Sequence, residues 1–396
     1  MTPASPLVGR IEQARIAEDL WRLVSVPSPT GRERDAALLY AEMLKESGAE
    51  VEIDETIPAS PSVIGRLKGG GPGPTLQLAG HIDAIDVPHE KPARSGDTIS
   101  GRGSADMKAG LAAILEIVRL LAGAPASFAG SLLVTVYGRH EAPVGKSEGL
   151  QGLIARRCVG DAAVVFEGPP DVAVVKGKGQ SIWTITLERE GAACHELRRR
   201  PEDDRLLDAA LALAAALRSE NEWLSLHADD LLGAESIFVG QLHYGDFYNR
   251  APRSCMVQGT RRWFPDKTFA DMQEHLRDLV RRAGLPSEIK AGIEWIFVGE
   301  AFAVDPGERI VGALREAGRT LRGSELPLAG VSSVLDTSRL VPLGHVPTVP
   351  VDCDGATAHS DREFVRMPVV KAGCALALQT ALNYLGAPGE NKAVGA

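Results

Sequence analysis

Apolar positions recur every three to four residues over residues 10–24, with Ile11, Ile16, Leu20 and Leu23 among them, and the same spacing returns over 34–47. That period places the apolar side chains on one face of a helix, and Gly48 follows the second segment as a C-cap. Between the two, SVPSPTGRE interrupts the pattern with two prolines and a glycine. Residues 51–53 and 62–67 form short strand candidates, and GGGPGP at 69–74 is a turn. From Thr75 onward apolar runs alternate with helical periods: strand 75–79, helix 108–121, strand 132–137, helix 148–157, strand 162–166. The alternation predicts an α/β fold, a mostly parallel sheet with helices on both faces.

The rhythm changes after GKG at 177–179. Residues 181–187 alternate, with Trp183, Ile185 and Leu187 on one face. A helix over 204–218, strands over 236–243 and 255–264, a helix over 268–283 and a strand over 288–298 follow. The order β-α-β-β-α-β is that of a ferredoxin-like unit. The chain therefore divides into a first domain of residues 1–178 and 300–396, and an inserted domain of residues 179–299. Helix 308–321, strand 348–352 and helix 364–385 complete the first domain. At 396 residues the chain exceeds what one hydrophobic core usually holds, which agrees with two domains.

Charge and cysteine usage narrow the partners. A net charge of -9 leaves no basic excess for a nucleic-acid surface, and no apolar run is long enough to span a bilayer. The N-terminal MTPASPLVGRIEQAR lacks the apolar core of a secretory signal. Five widely spaced cysteines, without a CxxC pair, read as free thiols. A cytoplasmic protein acting on a small molecule is expected.

The chemistry gathers at strand ends, where ligands bind in open parallel sheets. GHIDAIDVP puts His81 and Asp83 at the end of one strand. His140 and Glu141 follow the next, and Glu167 the third. Asp106 lies in GRGSADMKAG just before a helix, and His359 in GATAHSD between the last strand and the last helix. Two imidazoles and three carboxylates suit a borderline divalent metal, zinc first, with cobalt or manganese as alternatives. A carboxylate can bridge two ions, so one or two ions per chain are compatible with the set. Asp83 returns to the same side as His81 and would fix its tautomer.

GHIDAIDVP and GRGSADMKAG resemble the two signature stretches of the M20 metallopeptidase family, which includes acetylornithine deacetylase, succinyl-diaminopimelate desuccinylase and carboxypeptidase relatives. VPSPTGRE, FEGPP and GATAHSD resemble further stretches of that family, and the inserted βαββαβ unit resembles its lid and dimerisation domain. The resemblance implies one metal held by His81, Asp106 and Glu167 and another by Asp106, Glu141 and His359. It implies that Asp83 orients His81, and that His195 in the lid polarises the scissile carbonyl, reaching across a homodimer. Asn249, in NRAP, and Arg262, in RWFP, would meet a substrate carboxylate. Asp336, in SSVLDTSRL, resembles a family position near the active site.

One departure stands out. The family carries two adjacent glutamates after the third-region strand, the first being the general base; here the pair reads His140-Glu141. A neutral imidazole accepts a proton near pH 7, so His140 is the candidate base. The expected activity is metal-dependent hydrolysis of an N-acyl amino acid or small dipeptide-like amide. The alternatives are a deaminase or amidine hydrolase on the same scaffold, or a metal- or small-molecule-binding protein that has lost catalysis.

Overall fold

The computed structural model describes residues 3–141 and 144–388. The chain forms two compact units, one of Met1–Val175, Val304–Ala329 and Leu335–Ala396, the other of Lys176–Ala303 and Gly330–Val334.

The first unit is built on a six-stranded sheet in the order Glu50–Asp54, Ser62–Lys68, Ser131–Tyr137, Thr75–His81, Ala162–Val165, Thr348–Pro350. The last four strands run parallel, and the first two are antiparallel additions at one edge. Strands Thr75–His81 and Ser131–Tyr137 are buried along nearly their whole length. This explains why they read as continuous apolar runs rather than alternating ones: helices cover both faces. Helix Ala109–Ala122 is buried on almost every side, as is much of Met367–Leu385.

Register decides where the chemistry emerges. Thr75 pairs with Ser131 and His81 with Tyr137, while Ala79 pairs with Val165. The three strands therefore end nearly level, and the residues that follow them leave the sheet at one edge. His81, the 140–141 pair and Glu167 are brought to that edge by backbone pairing alone.

One expectation is corrected, and one small sheet is added. Residues 364–385 are not one helix: Phe364–Arg366 is a strand, and the helix begins at Met367 with Pro368 in its first turn. A proline there lacks only an N–H the helix would not use, so the boundary was readable. Phe364–Arg366 pairs with Thr98–Ser100, which pairs with Ala93–Ser95, a small antiparallel sheet absent from the sequence reading. It ties the segment after His359 to the segment before Asp106.

The second unit is a four-stranded antiparallel sheet in the order Ser236–Tyr244, Ser254–Trp263, Gly179–Arg189, Ile289–Gly299. Helices Pro201–Ser225 and Phe269–Arg282 fall between strands to give the ferredoxin-like β-α-β-β-α-β order. Trp183, Ile185 and Leu187 share one face and pack with Leu206, Leu213, Leu217, Val257 and Leu276 in the core. Gly259 pairs with Trp183 across this sheet, and a Cβ there would lie 2.5 Å from the indole and collide with the Phe238 carbonyl. Only a residue without a side chain fits. Among the described residues no helix is long and apolar enough to cross a membrane.

Candidate metal centre

All five expected ligands lie in the first unit, and the structure brings them together. His81 is the last residue of its strand and fully buried. Its Nε2 lies 3.0 Å from Asp106 Oδ1. Its Nδ1 lies 3.1 Å from the backbone carbonyl of Asp83 and 3.6 Å from the Asp83 carboxylate. The carbonyl is thus the nearer acceptor for Nδ1–H, and Nε2 is left for the cluster. The Asp83 carboxylate accepts the Thr30 hydroxyl at 3.0 Å, the His140 N–H at 3.0 Å and the Glu141 N–H at 2.9 Å. Asp83 therefore steadies His81 mainly through its backbone and anchors the 140–141 segment with its side chain.

Asp106 sits in the irregular turn Ser104–Lys108, where its backbone leaves the helical region at φ -131° and ψ 94° before helix Ala109–Ala122 begins. That excursion aims the carboxylate at two imidazoles. Oδ1 meets His81, and Oδ2 lies 3.1 Å from His359 Nε2. His359 Nε2 is also 2.8 Å from Glu141 Oε1. Glu167 Oε2 lies 3.9 Å from His81 Nε2, and Oε1 accepts the backbone N–H of Asp336. Ligand atoms of His81, Asp106 and Glu141 fall within 4.8 Å of one another, and so do those of His81, His140 and Glu167.

Without a cation, protons balance the carboxylates. Hydrogen bonds donated to the Asp106 and Glu141 carboxylates draw His359 up to about 10. His81 is also raised: burial opposes its charged form, but bonds to Asp106 and Asp83 outweigh burial. His140 reaches about 9, because Asp336 outweighs burial and the neighbouring His81. Burial and the Asp336 charge push Glu167 above the ordinary carboxylate range. Asp106 moves the other way, since His359 and His81 overcome its burial. A set of nitrogens and oxygens that recruits protons in this way fits divalent cations, which would supply the same positive charge.

Sequence reasoning missed the groups that hold the ligand loops. Glu363 is 1% exposed and lies four residues after His359. Its Oε1 accepts the N–H groups of Ala105 at 3.0 Å and Asp106 at 3.1 Å. Its Oε2 accepts the Gly103 N–H at 3.0 Å and the Arg102 guanidinium at 2.9 Å. One carboxylate thus fastens the Asp106 loop to the His359 segment. Glu33, fully buried, does the same for Gly31 and Arg139 at 2.7 and 2.9 Å. Nothing in AHSDRE or TGRE marks these acids as buried. The variant Glu363→Gln places an NH2 group against N–H donors. It should weaken metal binding by about 10–100-fold, the usual loss for a group that orients ligands. Competition titration against a chromophoric chelator measures this, and unchanged affinity would count against the role.

His195, Asn249 and Arg262 lie in the second unit. His195 ends the two-residue strand Cys194–His195, paired with Arg250–Ala251; its Nδ1 accepts the Leu197 N–H, and its Nε2 lies 3.2 Å from Asn249 Nδ2. The structure therefore brings His195 and Asn249 together. Arg262 donates to the Ser332 carbonyl. Its neighbour Arg261 is buried and pairs with Glu235, which also holds Lys267.

A parallel α/β sheet with imidazoles and carboxylates clustered at its carboxyl edge defines a metal-dependent hydrolase. The profile of peptidase family M20/M25/M40 matches residues 77–383, and the chain belongs to that family. It acts on amide or peptide bonds, as the family does. The chain is 30% identical over 329 residues to a succinyl-diaminopimelate desuccinylase of Gluconobacter oxydans, covering 78% of this chain and 81% of that one. It is 24% identical over 366 residues to a protein of the same name from Marinobacter nauticus, covering 89% and 93%. A dinuclear metal-binding M20 peptidase of Bacillus subtilis superposes with a TM-score of 0.70 at 15% identity, covering 94% of this chain and 98% of that one.

Proposed function

We propose that the protein hydrolyses the amide bond of a small N-acyl amino acid, or of a dipeptide-like substrate carrying a carboxylate. The observation that carries this reading is the meeting of His81, Asp106, Glu141, Glu167 and His359 in one cluster, buried at His81 and Glu141 and open to solvent at His359. His81, Asp106 and Glu167 would hold one ion, and Asp106, Glu141 and His359 a second, with zinc the first choice for both. Bound ions would lower the pKa of a water and polarise the scissile carbonyl.

The chain's own groups do the rest. Asp83 and Glu363 keep the ligand loops in place through backbone N–H groups. In the metal-free cluster His140 is drawn up to about 9 and carries a proton; with bound cations supplying that charge it would be neutral and receive the proton of the attacking water. His195 stabilises the developing oxyanion, while Asn249 and Arg262 hold the substrate carboxylate, for which the planar guanidinium is suited. The second unit serves as lid and dimerisation domain. Five cysteines without a disulfide support a cytoplasmic location.

The test is a panel of N-acetyl, N-succinyl and dipeptide substrates, alongside amino-substituted ring compounds, assayed with zinc, cobalt or manganese and after chelation. Turnover of the acyl or dipeptide members, lost on chelation and restored by metal, is the expected result. Turnover of the ring amines alone would favour a deaminase. Binding without turnover of any member would favour a lapsed enzyme.

A further inference from the structure

We propose that Asp336 is a positioning residue that allows an imidazole to work where the family pattern has a carboxylate. The inference rests on the reading of His140 as proton acceptor.

Replacing glutamate by histidine at a base position creates a new requirement. A carboxylate offers two equivalent oxygens and needs no tautomer. An imidazole offers two different nitrogens: one must face the water bare, so the other must carry the proton and be held. His140 Nδ1 lies 2.9 Å from Asp336 Oδ1. Asp336 is itself fixed on every side. It is fully buried, its Oδ2 accepts the Tyr137 hydroxyl at 2.6 Å, and its own N–H binds Glu167. It stands at the start of the short helix Thr337–Leu340, whose Arg339 and Leu340 N–H groups bond to its carbonyl. The backbone N–H of His140 is held by Asp83. Ring and backbone are therefore both constrained, and Nδ1 is committed to an anion.

The alternative role for His140 is that of an added metal ligand beside His81, and ring geometry decides against it. The two imidazoles stack with centroids 4.1 Å apart and planes 5° from parallel. Lone pairs lie in the ring planes, so those of two stacked parallel rings lie in separate parallel planes and do not converge on one point. Two imidazoles on one ion need both nitrogens about 2.0–2.1 Å from it, with ring planes that meet there. The stack instead leaves a ring nitrogen of His140 within 4.8 Å of the ligand atoms of His81 and Glu167; distance alone would admit a shared ion there, and the parallel ring planes do not. That suits a group facing the water, not the ion.

The proton balance is simple. As water adds to the carbonyl carbon, one of its O–H bonds breaks and an N–H bond forms at His140 Nε2. As the C–N bond breaks, the same proton passes to the departing amine nitrogen, and the imidazole returns to its starting form. Asp336 keeps its charge throughout, as the aspartate of a serine-protease triad does.

The test uses the zinc-loaded protein, with Asp336→Asn made in the parent and in a His140→Glu background. With the Tyr137 hydroxyl held by the asparagine oxygen, the amide NH2 faces His140 Nδ1 and drives the proton to Nε2. Nitrogen-15 spectra of histidine-labelled protein should show His140 protonated on Nδ1 in the parent and on Nε2 in Asp336→Asn. The kcat on the best substrate of the panel should fall about 10²–10⁴-fold, with KM and zinc content within about twofold. In the His140→Glu background the same change should alter kcat less than about threefold, because a glutamate needs no tautomer. An Nε2–H parent, a loss of zinc, or an equal fall in both backgrounds would each overturn the proposal. A parent with the expected tautomer that turns over no panel member would refute the substrate reading and leave the positioning role supported.

Discussion

The variant Asp106→Asn is expected to lose both bound metal and turnover, with kcat/KM falling by about 10³-fold or more. The reason is that Asp106 is shared. Its two oxygens face different imidazoles, His81 at 3.0 Å and His359 at 3.1 Å. Each of the other four ligands serves a single proposed ion. Asparagine keeps one oxygen and sets an NH2 donor where the other stood, so one ligand group loses an anionic oxygen outright. The other retains a weaker, neutral acceptor. Elemental analysis of the purified variant, beside kcat/KM, checks the point. A variant retaining the parent's metal content would show that Asp106 does not link the two groups. Glu141→Gln offers the contrast: it should lower occupancy of the site built with His359 and leave the site of His81 and Glu167 filled.

Metal uptake should release protons, and affinity should climb steeply with pH. In the metal-free protein His359 is drawn up to about 10 by Asp106 and Glu141, and His81 is raised as well. At pH 7 both rings carry a proton that a ligating nitrogen must give up. Glu167, lifted by burial and Asp336, adds a further proton. The sign follows: below these raised values protons compete with the cation, so affinity rises as pH rises and goes on rising through the His359 value of about 10. With His140, held at about 9 beside Asp336, about three to four protons per chain should be released at pH 7. Calorimetry in buffers of different ionisation enthalpy counts them directly. Uptake without proton release would mean that the ions bind elsewhere.

The clustering of His81, Asp106, Glu141, Glu167 and His359 was legible because it depends on local patterns. Apolar runs ending in His81, in the 140–141 pair and before Glu167 are strands whose ends a parallel sheet aligns, and GRGSADMKAG marks a turn before a helix. The strand at Phe364–Arg366 was lost because three residues are too few to show a period, although Pro368 marked the helix start.

By itself, then, the amino-acid order determined the α/β frame, the inserted ferredoxin-like unit, and which side chains stand at strand ends, since each follows from the spacing of neighbouring residues. Only the tertiary structure decided what those side chains touch. The His140–Asp336 contact joins positions 196 residues apart, and the bond from Glu363 to the Asp106 backbone spans 257. A buried carboxylate is stable only where donors from other segments meet it. Its place is therefore a property of packing, and no local pattern of residues announces it.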